Sequence, residues 1–201
     1  MRSLLTLITC FFMNNYAAAQ TTVNYGSLAA FSENGHLQVV VEIPAGTNKK
    51  IEYNYVSNTF PADTKNGKER IINFLPYPGN YGFIPSTMMD KARGGDGDAL
   101  DVLVLSQHRA TQTILEVIPI ALLNLVDNGE MDSKIIAVPV NPTHRVVNAD
   151  SYSQLHSEYP KVQQLIELWF TSYKGSTIVE FDGWGNELSA KAEIEKWLVP
   201  H

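Results

Sequence analysis

Chemistry concentrates first in Gly95-Asp96-Gly97-Asp98-Ala99-Leu100-Asp101, which runs directly into Val102-Leu103-Val104-Leu105. Three carboxylates in six residues precede an apolar run with the pattern of a buried strand. Asp96 and Asp98 are two apart, so an extended backbone would point both to one side. Asp101 falls where the loop enters the strand, a rigid mount for a functional group. Two unit charges about 6 Å apart at an effective dielectric of about 20 repel by roughly 3 kcal/mol. A hard divalent cation with oxygen ligands relieves that repulsion, and a solvated acidic turn is the plainer reading of the same residues. An EF-hand is excluded. Counted from Asp96, the positions that need a ligand, a glycine and a glutamate hold Leu100, Asp101 and Gln107.

A second stretch repeats this design. Asp127-Asn128-Gly129-Glu130-Met131-Asp132-Ser133-Lys134 is again an acidic, glycine-containing loop, and Ile135–Val140 is again an apolar strand. The likeness predicts a second wall of one metal cavity. Two further stretches offer charged or phenolic groups. Glu42 lies within the strand pattern Leu37–Ile43, where a carboxylate is costly unless paired or liganded, so it is an edge residue or a site residue. Lys50 and Glu52 alternate within Lys49–Val56, a second predicted strand, and face one side. Tyr77-Pro78-Gly79-Asn80-Tyr81-Gly82 reads as a loop fixed by proline and glycine that presents two phenols, as packing groups or phosphate ligands.

The elements that must hold these groups follow. Asn66-Gly67 predicts a hairpin turn within residues 57–69, before Arg70. Ile114–Leu125 carries two short apolar runs around Pro119. Pro160 suits the first turn of a helix whose stripe is Val162, Leu165, Ile166, Trp169 and Tyr173, with Gly175 just past its end. A strand is predicted over Thr177–Phe181, and Asn186 would cap a last helix reaching Trp197 and Leu198. Strands lead and helices trail.

The 201 residues suit one domain, 44% apolar and 18% charged, with a net charge of −6. The acidic balance argues against a nucleic-acid surface. The five histidines show no zinc spacing. Arg2, the apolar run Leu4–Met13 and Ala17-Ala18-Ala19 read as an export signal over residues 1–19, cleaved before Gln20. Lipidation at Cys10 is a variant, and a disordered or amphipathic extension in a cytoplasmic protein is the alternative. The run is too short for a membrane span. Export would put the protein in the periplasm or outside the cell. Cys10 is the only cysteine, so disulfides cannot hold the mature fold. Residues 20–36 are expected to be a flexible lead-in and residues 37–201 a single domain.

Taken together, these stretches resemble the soluble family I inorganic pyrophosphatases, from about Glu42 to Trp184. The resemblance rests on the ordered set Glu42-Ile43-Pro44-Ala45, Lys50-Ile51-Glu52, Arg70, Tyr77 to Gly82, Asp96 to Val102, Asp127 with Asp132 and Lys134, and Tyr173-Lys174. Ala99 stands where the family pattern has proline or glutamate, and the interval from Arg70 to Tyr77 is one residue short of it. The resemblance implies a mainly β fold with peripheral helices (α+β), an OB-like five-stranded closed barrel. It implies hydrolysis of pyrophosphate to two phosphates with several Mg2+ ions per site, Mn2+ being a substitute. Asp96, Asp101 and Asp132 would hold the central ions, Asp101 bridging two, and Asp127 would hold another. Asp98 would take the proton of the attacking water. Lys50, Arg70, Lys134, Tyr81, Tyr173 and Lys174 would bind phosphate oxygens, with Glu42, Glu52 and Tyr77 in support. Family members form dimers or hexamers, so a homo-oligomer is implied. Two competing functions are a hydrolase of another phosphoanhydride, such as polyphosphate or a nucleotide, and a non-enzymatic OB-like module binding oligonucleotide or oligosaccharide.

Overall fold

A computed structural model describes residues 23–175 and 179–199. The expected export signal and the first residues of the strand expected at Thr177 lie outside them. Among the described residues nine strands and three α-helices are formed: β1 (Leu37–Ile43), β2 (Thr64–Lys65), β3 (Lys68–Glu69), β4 (Asn80–Phe83), β5 (Asp101–Val104), β6 (Ile114–Asp127), β7 (Glu130–Met131), β8 (Lys134–Pro139), α1 (Tyr152–Glu158), α2 (Pro160–Ser172), β9 (Val179–Asn186) and α3 (Glu187–Trp197).

Five strands pair in the order β1-β4-β5-β8-β6, and β6 pairs back onto β1, so the sheet closes on itself. This is a five-stranded barrel of OB-like type with helices outside. All ring pairs are antiparallel except β5–β8. Closure removes the free edges that an open sheet would expose. The ring strands are buried on both faces, which explains their near-continuous apolar runs. Leu103, Leu123 and Ile136 pack with Ile166, Trp169 and Phe170 of α2. The alternating set Val102, Leu122 and Ile135 packs with Ala190, Ile194 and Trp197 of α3.

Several elements differ from expectation. The two runs around Pro119 are one strand. Its register shifts between Pro119 and Ala121, and a bulge there accommodates a residue without an N–H. The tyrosine loop is half strand: Asn80–Phe83 is buried throughout. Gly82 hides the alternation that would have marked it, because β1 lies directly against it. A Cβ on Gly82 would sit 1.9 Å from the Val40 carbonyl oxygen. Lys49–Val56 is not a continuous strand. It forms isolated bridges only, and its neighbour Pro61 accepts from Glu52 but has no N–H to return. In α2, Leu165 is 60% exposed and the buried face runs through Gln163, Ile166, Trp169 and Phe170. Pro160 opens that helix, and Gly175, at φ +86°, turns the chain beyond it. Asn186 caps α3 by accepting from the Ser189 amide.

The lead-in, from Val23 onward, is laid against the barrel. Ala30 is buried, the Gln38 amide donates to the Ala30 carbonyl, and Tyr25–Ser27 form one 3-10 turn. No helix among the described residues is long and apolar enough to cross a membrane.

Candidate active site

The parallel pairing of β5 with β8 sets Asp101 opposite Lys134. Both acidic loops therefore arrive at the same end of adjacent strands. They also touch: the Met131 amide donates to the Gly94 carbonyl at 3.1 Å. The first loop is tightly held. Asp90 caps the Lys91–Arg93 turn, Met89 exchanges backbone hydrogen bonds with Gly97 and Asp98, and a Cβ on Gly95 would meet the Met89 carbonyl at 2.5 Å. Asp96 and Asp98 are not on an extended backbone. Gly97 sits at φ +91°, a turn that glycine makes at no steric cost, and Asp96 Oδ1 accepts from the Asp98 amide at 2.9 Å. One carboxylate thus shapes the loop while the other is left facing the cavity.

Lys134 is 3% exposed and donates to both Asp101 and Asp132. Burial alone would depress its pKa, but the two carboxylates outweigh it and raise the ammonium well above its usual range. Burial opposes ionisation of Asp132 as well, yet Lys134 brings it below the ordinary carboxylate value. The Tyr81 hydroxyl donates to Asp101 Oδ2 at 2.5 Å, and burial next to that carboxylate holds the phenol protonated. Lys174 pairs with Asp127. Lys50 pairs with Glu52 at 2.6 Å.

Glu42 is buried, and burial, reinforced by Asp101, pushes it up to about 8, although the Tyr53 amide donates to its Oε1 at 2.6 Å. It faces a cavity at this end of the barrel rather than an open sheet edge. Asp96 and Asp98 are also raised, first by partial burial and then by repulsion from Asp101. Carboxylates held in this state gain most from a hard cation. Among the described residues no three acidic, His or Cys side chains converge tightly enough to enclose an ion alone.

Two cavities share this end of the barrel. One, of about 170 Å³, is lined by Glu42, Lys50, Glu52, Tyr81, Asp98 and Asp101, with Tyr53 and Tyr55 at its wall. The other, of about 270 Å³, is lined by Arg70, Lys65, Tyr173 and Lys174 and is cationic. Tyr77 lies between them, its ring 5.2 Å from Tyr81 and 4.5 Å from Trp169, on which Tyr173 stacks at 4.7 Å. Tyr173 therefore packs on the core and faces a cavity at once. Asp96 and Asp127 line neither cavity but are bonded to Asp98 and Lys174, which do, and Asp132 reaches Asp101 through Lys134.

Four residues of this region were not singled out from the sequence. Asp63 fixes Arg70 at 3.0 Å. Asn66-Gly67 could have revealed it, because the hairpin register of Thr64 with Glu69 sets Asp63 against Arg70. Tyr53, Tyr55 and Lys91 carried no such signal. Lys91 lies across Gly97, where a Cβ would meet its Cε at 2.5 Å.

Comparison with known proteins agrees with this geometry. A family model described as inorganic pyrophosphatase matches residues 39–199. The inorganic pyrophosphatase of Neisseria meningitidis serogroup B is 38% identical over 175 residues, covering 82% of this chain and 90% of that protein. That of Saccharolobus solfataricus is 34% identical over 167 residues, covering 80% and 88%. Among solved structures, the enzyme from Neisseria gonorrhoeae superposes with a TM-score of 0.71 at 34% identity, covering 85% of this chain and 94% of that one. The enzyme from Thermus thermophilus gives 0.72 at 29% identity, with 86% and 95% covered. These relatives hydrolyse the anhydride that a cation-lined, carboxylate-rich cavity would hold, and on matches spanning most of its length the chain belongs to the soluble family I inorganic pyrophosphatases.

Proposed function

We propose that the chain hydrolyses pyrophosphate with Mg2+ at the end of β5 and β8, with Asp98 as the base. The observation that carries this is the meeting of two carboxylate loops with Lys50, Lys134, Arg70 and Lys174 at one end of the barrel. Asp96, Asp101 and Asp132, with Asp127 for a further ion, would hold divalent cations, which would supply positive charge and lower the pKa of bound water. The donor set is all oxygen, which favours Mg2+ or Mn2+ over metals that prefer sulfur or nitrogen. Asp98 faces the cavity, accepts from no protein donor among the described residues, and is raised toward the range where it can hold a proton. It takes the proton of the water that attacks phosphorus. Lys50 faces one cavity and Arg70, Tyr173 and Lys174 the other, and with Lys134 beside Asp101 they would neutralise the charge of the two phosphates. Tyr81 keeps Asp101 oriented, and Glu52 does the same for Lys50.

Phosphate release from pyrophosphate, ATP and tripolyphosphate, each with Mg2+ or EDTA, tests this reading. Pyrophosphate should be the preferred substrate and EDTA should abolish turnover. Ca2+ takes longer bonds and more ligands than Mg2+, so it should bind, misplace the attacking water and inhibit in the presence of Mg2+. Equal rates on all three substrates, or turnover in EDTA, would overturn it. The mature chain is proposed to start near Gln20 outside the cytoplasm, which N-terminal sequencing of the native protein decides. It is proposed to be a homo-oligomer, dimer or hexamer, which light scattering decides.

A further inference from the structure

Tyr55 has no role in the site as described, yet it stands on the wall of the catalytic cavity with Glu42, Asp98 and Asp101. Its ring is fixed from two directions. It packs edge-on against Tyr53 at 4.6 Å. From the other side the N-terminal turn presses on it: a Cβ on Gly26 would lie 2.8 Å from Tyr55 Cδ1 and 3.1 Å from Cε1, so only glycine allows the chain to pass there. That turn is itself anchored. The Gly26 amide donates to the Tyr53 hydroxyl at 3.0 Å, and the same hydroxyl donates to Asn58 Oδ1 at 2.9 Å. Asn58 in turn accepts from the Tyr25 amide and donates to the Val23 carbonyl.

Tyr55 is 52% exposed, and its hydroxyl has no protein partner among the described residues, so it is open to a ligand from the cavity side. A tyrosine phenol is protonated at neutral pH, so it acts as a neutral donor or acceptor. A ring held in place on the cavity wall, with a hydroxyl that no protein group claims, beside groups suited to a phosphate and its cations, is preorganised for an anion's oxygen. We propose that Tyr55 is a substrate-contacting residue, aimed by Gly26, whose hydroxyl donates to an oxygen of bound pyrophosphate. The inference rests on the pyrophosphatase reading. It also gives the N-terminal segment a function: Tyr25 and Gly26 buttress from behind the Tyr53 and Tyr55 rings that line the cavity.

The test uses the mature protein, with imidodiphosphate and Mg2+ as the binding probe in calorimetry and Mg2+-pyrophosphate as substrate. Tyr55→Phe keeps the ring and its packing and removes only the hydroxyl. It should weaken imidodiphosphate binding and raise KM by roughly five- to tenfold, with Tm unchanged. Gly26→Ala should displace the ring and weaken binding similarly. In the double variant the loss should not exceed that of Tyr55→Phe alone, since Gly26 acts through the hydroxyl that is already gone. Wild-type affinity and KM in Tyr55→Phe, with the wild-type protein active, would overturn the proposal and leave the pyrophosphatase reading standing. Additive losses in the double variant would overturn the role of Gly26. A wild-type protein that neither binds imidodiphosphate nor cleaves pyrophosphate would overturn both readings.

Discussion

Asp98 and Asp101 are three residues apart and differ in every physical respect. Asp101 is ion-paired with a buried lysine and accepts from Tyr81, whereas Asp98 is exposed and takes no protein donor among the described residues. Asp101→Asn should therefore leave Lys134 with one carboxylate instead of two. Breaking a buried pair of this kind costs about 3–5 kcal/mol, so stability, metal affinity and turnover should fall together. Asp98→Asn should keep the wild-type Tm and lose about 100- to 10,000-fold in kcat, the usual contribution of a positioned base. Melting curves beside steady-state kinetics separate the two. Glu42 supplies a second contrast. Its folded pKa of about 8 exceeds that of an unfolded glutamate, so the folded state binds the extra proton between those values. Stability from this group is complete below the unfolded pKa and is lost as pH rises through about 8. In EDTA, the wild-type Tm should decline from pH 5 to pH 9, and Glu42→Gln should flatten that decline.

At the scale of elements, strands with a continuous apolar run were legible in the sequence and strands built around glycine were not. β1 and β8 announced themselves through valine and isoleucine, and the α2 and α3 starts through Pro160 and Asn186. β4 did not, because Asn80 and Gly82 are buried for reasons that propensity does not record. Asn80 bonds with the Ala45 and Arg109 amides, Ser106 and the Gln107 carbonyl. Gly82 admits the β1 backbone. The same distinction holds at the site. The aspartates, lysines and phenols could be chosen by type and spacing, but not the turn at Gly97, the burial of Glu42 or the partners Asp63 and Tyr53. Each of those depends on a contact across the barrel. Gly82→Ala should part β1 from β4, since a methyl group 1.9 Å from a carbonyl oxygen cannot be accommodated. A loss of about 3 kcal/mol or more is expected for overpacking of this severity, measurable as a lower midpoint in urea denaturation.

For the whole molecule, the ring closure described between β1 and β6 has a kinetic consequence. Val40 pairs with Ile114, and β4 and β5 lie between them in the chain, so closure needs both to be in place. The β5–β8 pair that unites the acidic loops is also non-local, because all of β6 intervenes in sequence. Loop-closure entropy must be met before such pairings return any stabilisation, which makes them late and slow. Glu42 comes from the first strand, the aspartate loops from the middle, and Lys174 from beyond α2, so no early intermediate can hold the complete set. In interrupted refolding from urea, tryptophan fluorescence should recover partly in a fast phase as α2 and α3 dock. Pyrophosphate cleavage should return only with the slowest phase, and activity that appears ahead of it would show that the catalytic end assembles before the ring is shut.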